Sequence, residues 1–207
     1  MIETSSRLRS LLRFATIFCL LLAVIGTTGP QTAFAELRYT TSYRENPIRG
    51  ATPAQLWRNM GRHPIIDGDG PALANITHDH KLMVRTEKAA GVCRVSGLDF
   101  SWNFVITLPK AVDEAAMNRK TRAMWREFVS YLKHHEEHHR MIFLACGRSF
   151  VAKAETFTIP GSCLGLKRKV TRFVDEQYDV CMTKQHAFDR RDRSALTKLA
   201  FHRAHKK

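Results

Sequence analysis

Between residues 113 and 156 the large apolar side chains recur at three- and four-residue intervals. Trp125, Phe128, Leu132, His135, His139, Ile142 and Cys146 fall on one line of a helical projection, so this stripe is expected to face the interior. The segment contains no proline and a lone glycine at Gly147, which predicts one long helix with a possible kink there. Ile159-Pro160-Gly161-Ser162 reads as a turn, with Ser162 capping a second helix that runs to about Arg190.

Upstream the period shortens to two. Arg38 to Arg44, Asn75 to Glu87 and Val92 to Leu108 read as strands, the last with a break near Gly97. Thr52 followed by Pro53 signals a short helix that buries Leu56 and Met60. The expected fold is α+β: a small antiparallel sheet packed with a long helical hairpin. Asp67-Gly68-Asp69-Gly70 begins like a calcium loop, but His78 stands where an acidic twelfth ligand is needed, so it reads as a turn. His78 and His80 share a strand face and read as exposed histidines.

The chain begins with Arg7, Arg9 and Arg13, an apolar run from Phe14 to Ile25, and Ala33-Phe34-Ala35. Residues 1–35 therefore read as a secretory signal peptide, too short in its apolar part to span a bilayer, with no transmembrane segment expected after its removal. Cys19 lacks the small residues of a lipoprotein signal before it. Residues 36–190 are expected to form one domain, and residues 191–207 a frayed basic tail. The formal charge is +14 over 207 residues. Such a charge favours anionic surroundings, and for a secreted or periplasmic chain these are envelope polymers rather than nucleic acid. Cys93, Cys146, Cys163 and Cys181 survive processing, and an even number in an oxidising compartment reads as two disulfides in one of three pairings.

His134-His135-Glu136-Glu137-His138-His139 admits two frames, because positions four apart on a helix bring two imidazoles side by side. His135 with His139 gives H-E-x-x-H, and His134 with His138 gives the inverted order. Only the first pair lies on the apolar stripe. A metal ligand needs an enclosed position with a partner for its second ring nitrogen, which favours that frame. His135 and His139 are thus the candidate zinc ligands, and Glu136 the candidate general base. The plain alternative is a histidine-rich helix surface.

A catalytic zinc takes three protein ligands and one open position. With the hairpin turn near Pro160, residues level with the motif fall at about the middle 180s on the second helix. His186 is the candidate third ligand and Asp179, on the same assumed face, the runner-up. The same register sets Cys146 opposite Cys181, leaving Cys93 for Cys163.

In these residues the chain resembles a bacterial family of formally unknown function, described as predicted secreted zinc-dependent proteases. The resemblance is carried by Tyr39, Tyr43, Gly50-Ala51-Thr52, Leu56, Cys93, Leu108-Pro109, Trp125, His135-Glu136, His139, Cys163 and Tyr178-Asp179 with Thr183 and His186. It implies a small sheet with helices, and zinc-dependent proteolysis with the closing His186 as a candidate ligand. The expected function is a secreted zinc-dependent metallopeptidase that cleaves peptide or amide bonds through zinc-activated water, acting on a peptide or envelope-associated substrate. Tyr178 or His134 is a candidate for stabilising the oxyanion. The alternative is a non-catalytic exported zinc-binding or envelope-attachment protein.

Overall fold

Strand β5 (Val92–Ala111) buries alternate side chains, and Leu98, Phe100, Trp102, Phe104 and Ile106 form a mainly aromatic row along one face. In the computed structural model, which describes residues 36–67 and 70–206, the part of this row from Leu98 to Phe104 is the floor of the main core. The expected signal peptide and residues 68–69 of the Asp67–Gly70 turn lie outside the described residues.

The architecture is α+β, and the sheet is mixed rather than antiparallel. Strand β4 (Asn75–Ala89) pairs antiparallel with β5 on one side, whereas β1 (Glu36–Ile48) pairs parallel with it on the other, from Glu36 opposite Asp99 to Ile48 opposite Ala111. Parallel pairing follows because β1 reaches β5 through a long connection containing a helix and β4, not through a tight turn. Strand β6 (Thr158–Pro160) adds antiparallel to the start of β5, and β2 (Ile65–Asp67) with β3 (Gly70–Ala72) makes a separate hairpin. The break expected near Gly97 is a bulge: Arg85 faces Gly97 while Thr86 faces Val95, so β5 continues unbroken.

Helix α1 (Pro53–Arg62) has the expected start, where Thr52 and Gln55 cap each other and Leu56 and Met60 are buried. Helix α2 (Arg119–Ala154) begins later than the sequence suggests, because Glu114–Ala116 forms a 3-10 turn and the Asn118 side chain caps the helix at Thr121 N. It runs through Gly147 as one helix. A Cβ at Gly147 would lie 2.9 Å from Trp102 Nε1, so this glycine lets the helix approach the aromatic row.

Helix α3 (Cys163–Lys198) extends well past Arg190 and is followed by α4 (Ala200–Ala204). The segment expected to fray is therefore helical. Its anchor is Phe201, fully buried, with its ring 5.2 Å from Trp125 and 4.6 Å from Phe128. One large aromatic side chain with a cavity to fill outweighs the charge of its neighbours.

Both disulfides form as the hairpin register requires. Cys146–Cys181 ties α2 to α3 with a Cα separation of 6.0 Å, and Cys93–Cys163 ties β5 to the start of α3 at 5.3 Å. Helix α2 passes from one core, containing Trp125, Phe128 and Leu132, into the other, containing Phe143, Cys146 and Phe150. The histidine motif occupies the interval between them. Among the described residues no helix is long and apolar enough to cross a membrane.

Candidate metal centre

The helical phase that buries Leu132 and Phe143 also turns His135, Glu136 and His139 inward, towards α3. His134 and His138 are exposed, as the choice of frame requires. Helix α3 answers with Gln185, Phe188, Asp189 and Asp192. The Nε2 atoms of His135 and His139 are 3.0 Å apart, and Asp189 Oδ1 lies 3.3 Å from the first and 2.9 Å from the second.

The outer ring nitrogens are held separately. His135 Nδ1–H donates to Asp192 Oδ2 at 2.7 Å, and His139 Nδ1–H donates to Gln185 Oε1 at 2.6 Å. Gln185 Nε2 also donates to the His139 carbonyl at 3.1 Å, which fixes its amide so that the oxygen faces the ring. Tyr131 Oη donates to the same Asp192 oxygen that receives His135. Burial pushes the Asp192 carboxyl up, but the hydrogen bonds from Tyr131 and His135 outweigh it and leave its pKa below the ordinary value. Burial is also the main cause of the raised Tyr131 pKa, with the Asp192 hydrogen bond adding to it.

These bonds select the tautomer. With each Nδ1 donating, a neutral imidazole directs the lone pair of Nε2 inward. Burial lowers the His139 pKa, against the opposing effects of Gln185 and Asp189, which favours the neutral ring. Two nitrogen lone pairs and a carboxylate oxygen then meet with no hydrogen between them. A proton on one nitrogen relieves part of this repulsion; a divalent cation relieves all of it. Ligand bonds of about 2.0–2.1 Å at tetrahedral angles set donor atoms about 3.3 Å apart, close to the spacing of this group. All three atoms lie within 4.8 Å of one another, and the residues present fit a metal ion.

His186 is not the third member. It is exposed and lines the cavity beside the group, while Asp189, nearly one turn further along α3, converges on the histidines. The expected height was sound and the helical phase was off. Cys181, which faces α2 through its disulfide, puts position 185 and then 188 or 189 on the same side, whereas 186 is turned by about 100° from 185. Asp179 is remote, lining a separate recess with His80 and Tyr178. The cysteine phase was the signal available in the sequence for Asp189, and Gln185 and Asp192 follow from it.

Glu136 is 5 % exposed and lines the cavity next to His135 and His139, deeper than the rim position expected. Glu137 is only half-buried and accepts a hydrogen bond from Tyr43 Oη at 2.7 Å. Phe188 packs its ring on His138 at 4.1 Å and on His135 at 4.8 Å between centroids, closing one side of the motif. His78, expected to be exposed, is half-buried against Trp102 and Phe143, and its Nε2 is 3.2 Å from Tyr178 Oη. Burial and the neighbouring His80 depress its pKa to about 4. His80 is exposed, as expected.

A family model covers residues 43–195, a span that includes every member of this cluster and its hydrogen-bonding partners; the family is described as bacterial protein of unknown function (DUF922). The chain belongs to the DUF922 family. No curated protein and no solved structure matches the chain. The DUF922 match begins within β1 and stops before α4, so the Phe201 anchor lies beyond it.

Proposed function

We propose that this protein is an exported zinc-dependent metallopeptidase in which His135, His139 and Asp189 hold the metal and Glu136 is the general base. The observation that carries the proposal is the convergence of three electron-pair donors, each histidine fixed from behind by Gln185 or Asp192, next to a buried glutamate. H-E-x-x-H places that glutamate one residue from the first ligand.

The bound ion would supply Lewis-acid polarisation of the scissile carbonyl and acidify the attacking water. Glu136, beside the group, would take a proton from the attacking water as its oxygen adds to the carbonyl carbon. It would then return the proton to the leaving nitrogen as the C–N bond breaks. Asp192 and Gln185 keep both imidazoles in the tautomer that presents Nε2 to the ion, so neither ring needs to reorganise during turnover. A cavity of about 750 Å³ opens beside the group and admits an extended peptide. The two disulfides support an oxidising destination such as the periplasm or the exterior.

A non-catalytic zinc-storage role calls for a closed fourth protein ligand. Among the described residues no fourth histidine, cysteine, aspartate or glutamate joins the group, which favours catalysis. The test is bound zinc and peptide hydrolysis for the wild type, Glu136→Gln and His139→Ala. The expected result is zinc retained and hydrolysis abolished in Glu136→Gln, with zinc lost in His139→Ala. A wild type that binds no zinc, or a Glu136→Gln variant with unchanged hydrolysis, overturns the proposal.

A further inference from the structure

The metal-binding group is shared by two cavities of different chemistry. The larger one, about 750 Å³, carries His186, Arg190 and Arg193 along one edge, at successive spacings of four and three on α3. The smaller, about 210 Å³, has Leu73, Ala74, Leu132 and Leu196 as its apolar wall, with Tyr131, Asp192 and Arg193 also lining it. Ala74, His135, Glu136, Asp189 and Arg193 line both, so Arg193 stands between the two spaces. A bond held at this group therefore has His186 and Arg190 on one side and the leucine wall on the other, with Arg193 between them.

Arg190 and Arg193 are exposed at the cavity edge, and neither guanidinium has an ion pair or hydrogen bond among the described residues. Of the carboxylates in the larger cavity, Asp189 lies 2.9 Å from His139 Nε2 and Glu136 is 5 % exposed. Free guanidiniums at a cavity edge are suited to bidentate recognition of a carboxylate. Asn75 adds a polar feature to the wall of the larger cavity. It is 6 % exposed, and its buried Oδ1 has no partner among the described residues. The smaller space exceeds the ~150 Å³ that holds a benzene ring in a protein interior, so it takes one leucine- or phenylalanine-sized side chain.

We propose that the substrate is a peptide with a bulky apolar residue on one side of the cleaved bond and one or two carboxylates on the other, read by Arg190 and Arg193. This rests on the hydrolase reading above.

The test uses quenched fluorescent peptides, each with one leucine next to Glu-Glu, Gln-Gln or Lys-Lys, made with the charged pair on either side of the leucine. In the zinc-loaded full chain, kcat/KM for the better Glu-Glu peptide should exceed that of its Gln-Gln counterpart about tenfold, with Lys-Lys poorest. The ratio should fall towards one in Arg190→Gln/Arg193→Gln, whose substitutions are exposed and compatible with a helix. Replacing the leucine by serine should cost about another tenfold. Binding of the same peptides to Glu136→Gln, followed by fluorescence anisotropy at low and high salt, reads recognition without turnover. Equal cleavage of the Glu-Glu and Gln-Gln peptides overturns the inference and leaves hydrolysis standing. If no peptide is cleaved but the Glu-Glu peptide binds Glu136→Gln in an arginine-dependent way, hydrolysis fails and the cationic subsite stands.

Discussion

Gln185 grips His139 at two points: its Oε1 accepts from the ring Nδ1 at 2.6 Å and its Nε2 donates to the backbone carbonyl of the same residue at 3.1 Å. A single buried amide thereby fixes the position, rotation and tautomer of one candidate ligand. Removing it in Gln185→Ala should lower zinc affinity about ten- to a hundredfold, measured by chelator competition. Unchanged affinity would mean that the tautomer is set in some other way.

Asp189 and His186 are adjacent in space to the same cavity, yet only Asp189 Oδ1 reaches both histidines. Asp189→Asn keeps the shape and removes the negative charge, and should weaken zinc binding by about tenfold or more. His186→Ala should leave zinc affinity within about threefold of wild type, since its side chain is outside the group. The reverse order would return the third position to His186.

His78 has its pKa depressed to about 4 from 6.5, chiefly by burial. The unfolded chain then binds a proton that the folded chain refuses. Its contribution to stability is complete above 6.5 and is lost progressively as pH falls towards 4. Denaturant midpoints at pH 7.5 and 4.5 should differ less in His78→Phe than in the wild type. An identical pH response in both proteins would show that other groups govern acid sensitivity.

Gly147→Ala introduces a Cβ 2.9 Å from Trp102 Nε1 and 3.2 Å from the Phe100 ring. Overpacking costs about 1–3 kcal/mol, and better helix propensity returns about 1 kcal/mol. The net expectation is a loss of about 1 kcal/mol, read by urea unfolding. A more stable variant would show that the helix moves away from the sheet at little cost.

Phe201→Ala empties a fully buried aromatic position and should cost about 3–5 kcal/mol. Thermal and denaturant unfolding both report it. Wild-type stability in this variant would restore the picture of a frayed tail.

Much of this was legible because it is local. A three-four spacing along one helix sets which histidines share a face, so His135 and His139 were separable from His134 and His138 without any tertiary information. Thr52 and Pro53 marked the start of α1 for a similar reason, since capping involves neighbours in sequence. The burial of Leu56 and Met60 followed from the same period.

What misled was the assumption that composition speaks for packing. Residues 191–207 read as a solvated basic tail, yet one phenylalanine among them completes a core built from α1 and α2. His78 read as an exposed strand residue because the strand pattern does not say which face the helices cover. The break at Gly97 became a bulge because β4 supplied a partner throughout.

By itself, then, the sequence determined the candidate ligand pair, the candidate general base beside it and the register of the hairpin, because periodicity and cysteine spacing are properties of single helices. Only the tertiary structure decided the third donor, the parallel seating of β1 and the role of Phe201. Each of those depends on how separate elements rotate about their axes and meet, and a rotation of one residue, about 100°, is enough to exchange His186 for its neighbours on the facing side.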